Sequence, residues 1–239
     1  MKLIIKENNL EMSKSAMYIV LGAMQQDKRV NISLTSGRSP KKLYELLIPE
    51  IKDKYEYKNI QYYLFDDSPY IDKKHGGNWD EMQEMFFKPA NIPNDRINIT
   101  TLENWQVYDD EIKQVGGIDV MVIGLGYDGH FCGNCPNCTP LDSYTYCLEF
   151  KEKQKANPTY LDRPTQPYSI TMGPKSLMRV KHLVMIVNGS EKAEILKKFL
   201  DEPISNKIPA TILKLHPNFT VLCDKEAAKL INIEDYRGM

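Results

Sequence analysis

Several things this chain lacks narrow the field. Its 31 basic and 32 acidic side chains leave a formal charge of -1, so no field large enough to hold a nucleic acid or an anionic membrane is implied, and any anion binding must be local. No stretch approaches the roughly 18 apolar residues of a membrane span. The opening Met1-Lys2-Leu3-Ile4-Ile5-Lys6-Glu7 turns polar too soon for a signal-peptide core, and the expectation is a cytoplasmic protein. Cysteine is scarce and odd in number, five in 239 residues, which points to reduced thiols rather than a disulfide framework. Repeats, low-complexity tracts and composition breaks are also missing, so residues 1–239 read as a single domain.

What is present is an ordinary globular composition, 42% hydrophobic and 26% charged, and a packed core is expected. Short apolar runs recur, each followed by a small-residue turn and a helical pattern, which suggests an α/β fold with a parallel sheet covered by helices. Strands are expected at Val30–Leu34, Tyr62–Phe65, Ile97–Ile99, Ile118–Ile123, Leu183–Val187 and Phe219–Cys223. The continuous apolar run Ile118–Ile123 fits a central strand buried on both faces. Helices are expected at Glu11–Gln26, Lys41–Ile51, Trp79–Phe87 and Glu191–Asp201, with a terminal helix beginning over Lys225–Leu230. The turn-rich stretch Lys151–Pro167 reads as an excursion over the surface.

Four segments could carry chemistry. Thr35-Ser36-Gly37-Arg38-Ser39-Pro40 lies between a strand and a helix, where backbone N–H groups can converge on an anion. Gly37 lets the backbone approach, Ser39 is placed as an N-cap with Pro40 as first helical residue, and Arg38 and the hydroxyls are donors suited to phosphate. A merely capped loop would read the same. Asp66-Asp67 follows the strand ending at Phe65, at the carboxyl edge of the sheet where open α/β folds bind ligands. Carboxylates that share a site resist simultaneous ionisation, which tunes one for proton transfer; a solvated turn is the alternative.

The third segment, Gly124-Leu125-Gly126-Tyr127-Asp128-Gly129-His130, again follows a buried strand. Asp128, two residues before His130, can fix the imidazole tautomer so that the other nitrogen moves protons. The fourth is Cys132, Cys135 and Cys138. A cluster site wants a fourth thiolate, and Cys147 comes nine residues on without the expected proline; zinc could recruit His130, but only by taking it from proton transfer. The preferred reading is that these thiols line or support a pocket loop, with no metal and no redox cofactor. Lesser signals are Lys192 at another strand-to-helix turn, Arg163, Arg179, and His216 beside Pro217.

Taken in order, Thr35 to Pro40, Phe65-Asp66-Asp67, Gly124 to His130, Thr171-Met172-Gly173, Gly189-Ser190-Glu191-Lys192-Ala193 and Leu215-His216-Pro217-Asn218 resemble the glucosamine-6-phosphate deaminase and 6-phosphogluconolactonase superfamily over nearly the whole chain. The resemblance implies a three-layer sandwich with a mainly parallel, Rossmann-like sheet, as in sugar-phosphate isomerases. It implies a sugar phosphate held by Ser36, Gly37, Arg38, Ser39 and Lys192, with Asp67, Gly126 and Asn134 also lining the site. In the deaminases the acid matching Asp66 moves a proton between C1 and C2, and the pair matching Asp128 and His130 assists ring opening, giving a ketose phosphate and ammonia. In the lactonases the histidine matching His130 activates water. Either activity would make the chain a hydrolase acting on a small phosphorylated sugar, and family deaminases can be homo-oligomers.

The departures from pattern are specific. Cys135 stands where deaminases have a glutamate, Arg38 where the family has a second glycine, and Ser68 where deaminases have tyrosine; the Ser-Leu-Phe-Pro of lactonases is missing. A sugar-phosphate sensor without turnover is therefore the reading from another functional class.

Overall fold

The computed structural model describes residues 1–149 and 164–236. Among the described residues, ten strands and six α-helices follow one another as β1 (Lys2–Lys6), α1 (Asn9–Met24), β2 (Val30–Ser33), α2 (Lys41–Ile51), β3 (Ile60–Leu64), β4 (Asp66–Asp67), α3 (Gly77–Met82), β5 (Ile97–Ile99), α4 (Tyr108–Gln114), β6 (Val120–Gly124), β7 (Tyr146–Glu149), β8 (Tyr168–Thr171), α5 (Pro174–Leu177), β9 (His182–Val187), α6 (Ala193–Asp201) and β10 (Phe219–Asp224). The main sheet has the order β1-β10-β9-β6-β2-β3-β5, and all of its strand pairs are parallel.

Side-chain alternation along the central strands explains the layering. Successive residues of a strand point to opposite faces. Val120 and Val122 of β6, with Val184 and Ile186 of β9, meet Met12, Ala16 and Val20 of α1, Leu43 and Leu47 of α2, and Phe86. Met121 and Ile123, with Leu183 and Met185, meet Ile112 of α4, Leu196 and Phe199 of α6, and Leu213. A sheet apolar on both faces needs two covers, and the amphipathic helices supply them. The result is the expected α/β three-layer sandwich.

The chain runs from β2 outward through β3 to β5, then returns to place β6 on the other side of β2. The connections after β2 and β6 therefore diverge, and a crevice opens at the carboxyl ends of these two strands, the usual ligand position in open α/β sheets. A small antiparallel sheet, β4-β8-β7, stands at this edge.

Some expectations change. Trp79–Phe87 is not one regular helix: α3 starts earlier, at Gly77, and Gln83–Phe87 is a π-helical turn that packs both Phe86 and Phe87 inward. After β10 the chain makes turns instead of a helix at Lys225–Leu230, with Asp224 accepting the Ala227 N–H at 2.8 Å. Helix α2 begins at Lys41, with Pro40 itself in the cap position and no side-chain capping bond, so Ser39 does not act as the N-cap. Residues 151–163 of the expected excursion, and Arg163 with them, lie outside the described residues.

Candidate active site

Four loops leave the carboxyl ends of four adjacent strands, β9, β6, β2 and β3, and these carry the chemistry-bearing residues. After β2, Gly37 adopts the left-handed φ of 95°, which glycine reaches without steric cost. The Ser36 hydroxyl donates to Asn78 Oδ1 at 2.8 Å, and the Gly37 N–H donates to Glu81 Oε2 at 2.9 Å. Arg38 is exposed, and Tyr44 of α2 holds the loop from below by donating its hydroxyl to Thr35 O.

After β3 the two carboxylates separate in role. Asp66 is half-buried and accepts from Asn78 Nδ2 at 2.8 Å. Burial, and then the charge of Asp67, push its pKa up to about 7, while the Asn78 bond opposes the rise. Asp67 is 1% exposed, and the Gly76 N–H reaches both of its oxygens, at 3.0 and 3.1 Å. Asp67 therefore braces the 68–76 turn and reaches no open space, contrary to its expected place on the substrate. Its charge nonetheless tunes Asp66.

After β6 the loop closes on itself, with Gly126 N–H donating to His130 O at 2.8 Å and Gly129 N–H to Gly126 O at 3.0 Å. Asp128 Oδ1 accepts from the His130 N–H at 3.0 Å and lies 2.6 Å from His130 Nδ1. This places the Nδ1 proton toward the carboxylate and leaves Nε2 as the proton-accepting nitrogen. The imidazole bond holds the Asp128 carboxyl down at about 2. A Cβ at Gly126 would come 2.1 Å from His130 Nδ1, so the glycine makes room for the ring.

After β9, Lys192 is 8% exposed and donates to Leu125 O at 2.7 Å, with its ammonium 3.4 Å from the centroid of the Tyr127 ring. Burial lowers its pKa to about 8; Glu191 and Asp128 pull upward and Arg38 pushes down. Lys192 thus feels groups from the loops after β6 and β2, and the loops after β2, β6 and β9 face one another. The Ser36–Asn78–Asp66 chain ties in the fourth.

Other expected residues take supporting positions. Asn134 is fully buried, donating to Met172 O at 2.9 Å and accepting from the Tyr146 hydroxyl at 3.2 Å, so it anchors its loop instead of meeting solvent. Cys132 is close enough to Asp66 that the carboxylate adds to burial in raising its thiol well above the ordinary range. Cys135 and Cys138 are joined as a disulfide, against the expectation of reduced thiols throughout; their spacing permits it, because two cysteines three apart can turn toward each other. His216 is buried, with Nε2 2.9 Å from Val180 O. Arg179 bonds Tyr144, away from these loops. Sequence reasoning passed over Asn78 and Glu81; the signal was Gly76-Gly77, which opens α3 and brings its first turn under the β2 loop. A groove of about 380 Å³ lined by Ile112, Ile118 and Arg179 contains none of the charged groups at the four strand ends.

The family model for glucosamine-6-phosphate isomerases/6-phosphogluconolactonase matches residues 9–222. A glucosamine-6-phosphate deaminase of Thermoanaerobacter pseudethanolicus is 32% identical, the match covering 99% of this chain and 98% of that one. Its counterpart in Shouchella clausii is 31% identical, covering 96% and 97%. Among solved structures, a monomeric glucosamine-6-phosphate deaminase superposes with a TM-score of 0.81 at 25% identity, covering 96% of this chain and 100% of that chain. A 6-phosphogluconolactonase of Trypanosoma brucei shares the fold, with a TM-score of 0.72 at 17% identity and coverage of 97% and 98%. The chain belongs to the glucosamine-6-phosphate isomerase and 6-phosphogluconolactonase family.

Proposed function

We propose that this chain is an aldose–ketose isomerase and deaminase acting on glucosamine 6-phosphate, giving fructose 6-phosphate and ammonia with consumption of one water. The observation that carries this reading is Asp66: a carboxylate at the carboxyl end of β3, raised to about 7 and fixed by Asn78, is a base poised for work at neutral pH. Ser36, Gly37, Arg38 and Lys192 supply donors for the phosphate, and Ser39 sits in the same loop. His130 Nε2, oriented through Asp128, takes and returns the proton of the ring oxygen as the sugar opens. Asp66 then takes the C2 proton and delivers it to C1, so that the C2–N bond becomes an imine, and water releases ammonia from it. The C–N bond is thereby hydrolysed, which places the net reaction among hydrolases although its first half is an isomerisation.

All of these residues belong to one chain, so the reading asks for no partner subunit, and it treats residues 1–239 as one catalytic domain. Ammonia release from glucosamine 6-phosphate, measured for the wild type and Asp66→Asn at equal concentration, tests it. Release that depends on Asp66 is expected; full activity in the variant removes the proton-transfer assignment. Cys135 at the family glutamate position favours a second reading, lactone hydrolysis by the Asp128–His130 pair. That reading requires hydrolysis of 6-phosphogluconolactone to survive Asp66→Asn and fail in His130→Gln.

A further inference from the structure

We infer that Cys135 and Cys138 are a thiol–disulfide exchange site for small thiols, and that its redox state sets how firmly the loop carrying His130 is held against the strand that pairs with Asp66. The consequence for turnover rests on the proposed function; the exchange site does not.

The pair is built for reversible closure. Cys135 and Cys138 lie three residues apart with Cα atoms 5.6 Å from each other, inside the range disulfides normally span. A ring this short removes little chain entropy from the unfolded state, so the bond is a weak staple for the fold. Both cysteines are partly buried, and the turn between them carries exposed Asn137 with a left-handed φ of 60°, so the pair lies beside a stretch of the loop that solvent reaches. The remaining thiols are poor competitors: burial raises Cys132, Cys147 and Cys223, the last to about 12, and keeps them protonated.

The loop transmits the state of the pair. Thr139 donates its N–H and its hydroxyl to Cys135 O, at 3.2 and 2.7 Å, and the Asn137 N–H reaches Asn206 O at 2.8 Å. On the other side of Cys135, Asn134 grips Met172 O and the Gly133 N–H donates to Thr171 Oγ1 at 3.0 Å. Thr171 is the residue opposite Asp66 in the β4–β8 pair, and the Met172 N–H donates to Phe65 O at 2.7 Å. His130 lies five residues before Cys135. The closed ring therefore sits in a loop that is bonded to the strand beside Asp66 and follows His130 by five residues, and opening it loosens the C-terminal end of that loop.

The exchange balances with a thiol, RSH, as reductant. Its thiolate attacks one sulfur of the pair and forms a mixed disulfide while the other cysteine leaves as thiolate and takes a proton. A second thiolate then attacks the outer sulfur, releasing RSSR. Two electrons pass from two RSH to the protein, which ends with two Cys–SH groups.

The test equilibrates the full chain in a series of reduced and oxidised glutathione ratios, traps thiols with N-ethylmaleimide and maps labelled and linked peptides by mass spectrometry. A single transition is expected in which Cys135 and Cys138 gain label together, unchanged in Cys147→Ser and abolished in Cys138→Ser. No Cys135–Cys138 linked peptide at any ratio overturns the site. Across the same series kcat for ammonia release should fall about three- to tenfold on reduction, because a small loss of positioning is costly, and should stay flat in Cys138→Ser. A flat wild-type profile overturns the coupling. If neither state releases ammonia, the proposed function fails separately, and the coupling is read from the His130 ring resonances: a shift between the two states sustains it, and identical spectra overturn it.

Discussion

The side-chain amide of Asn78 donates to Asp66 Oδ1 at 2.8 Å while its own oxygen accepts the Ser36 hydroxyl at 2.8 Å. One residue thereby couples the loop proposed to hold phosphate with the carboxylate proposed to move protons. Its replacement by Ala should cost a charge-assisted hydrogen bond, about 1.5–3 kcal/mol or roughly tenfold or more in kcat. Because the bond lowers the Asp66 pKa, Asn78→Ala should also move the acidic limb of the pH–rate profile upward. An unchanged limb together with a lowered kcat would assign Asn78 to packing alone.

For Asp66 itself, kcat/KM should fall as pH drops through about 7, following protonation of the base. The stability consequence has the opposite sense. The folded pKa lies above the unfolded value, so the ionised carboxylate penalises the fold fully above pH 7 and not at all below about 4. Asp66→Asn should raise Tm at pH 8, with the gain vanishing by pH 4, a series that thermal denaturation measures directly.

His130 and Gly126 share one space, since a Cβ at position 126 would fall 2.1 Å from the ring nitrogen. Gly126→Ala should displace the imidazole and lower kcat by about 100-fold, the scale expected of a 1 Å misplacement. Circular dichroism should remain that of the wild type. A crystal structure of the variant with the ring in place would contradict this account.

Lys192, with a pKa near 8 in the ligand-free protein, should make phosphate-ester binding weaken above that pH as the ammonium is lost. Lys192→Met should raise Kd for glucosamine 6-phosphate by about tenfold or more and flatten that pH dependence. Calorimetric titrations at pH 7 and 9 distinguish the two proteins.

Glu81 occupies the Gly37 N–H with its own carboxylate, so an incoming anion has to displace it. Glu81→Gln should tighten binding of inorganic phosphate by about three- to tenfold, the scale of a like charge removed from a partly solvated site. Weaker binding in the variant would mean that Glu81 preorganises the loop instead.

The central strands and both long N-terminal helices were legible because their apolar spacing is set by burial, which sequence records residue by residue. Lys41–Ile51 is the expected segment without change, and β6 and β9 shift by a residue or two at their ends. The small sheet was not legible: β4 is two acidic residues, and it exists because β8 returns from more than 100 positions away to pair with it. The different fates of Asp66 and Asp67 are settled much nearer in the chain, nine and twelve residues on. Nothing local says that the Gly76 N–H will take one carboxylate while Asn78 takes the other, since both partners come from a turn whose path is fixed by packing. The disulfide was missed for a related reason, because an odd cysteine count speaks about the whole chain and not about one short turn.

Strand β6 meets β2 through two register pairs, Ile32 with Val120 and Ser33 with Met121, whereas it meets β9 through five. The crevice opens at this thin seam, between the loops of Gly37 and His130. A sugar phosphate spanning both loops would suture the sheet where its own pairing is shortest, and only in the folded chain. At a concentration 100 times Kd, mass action alone adds about 2.7 kcal/mol to the folded state. The supply of substrate would then govern how long each copy of the protein survives proteolysis, as well as how fast it works.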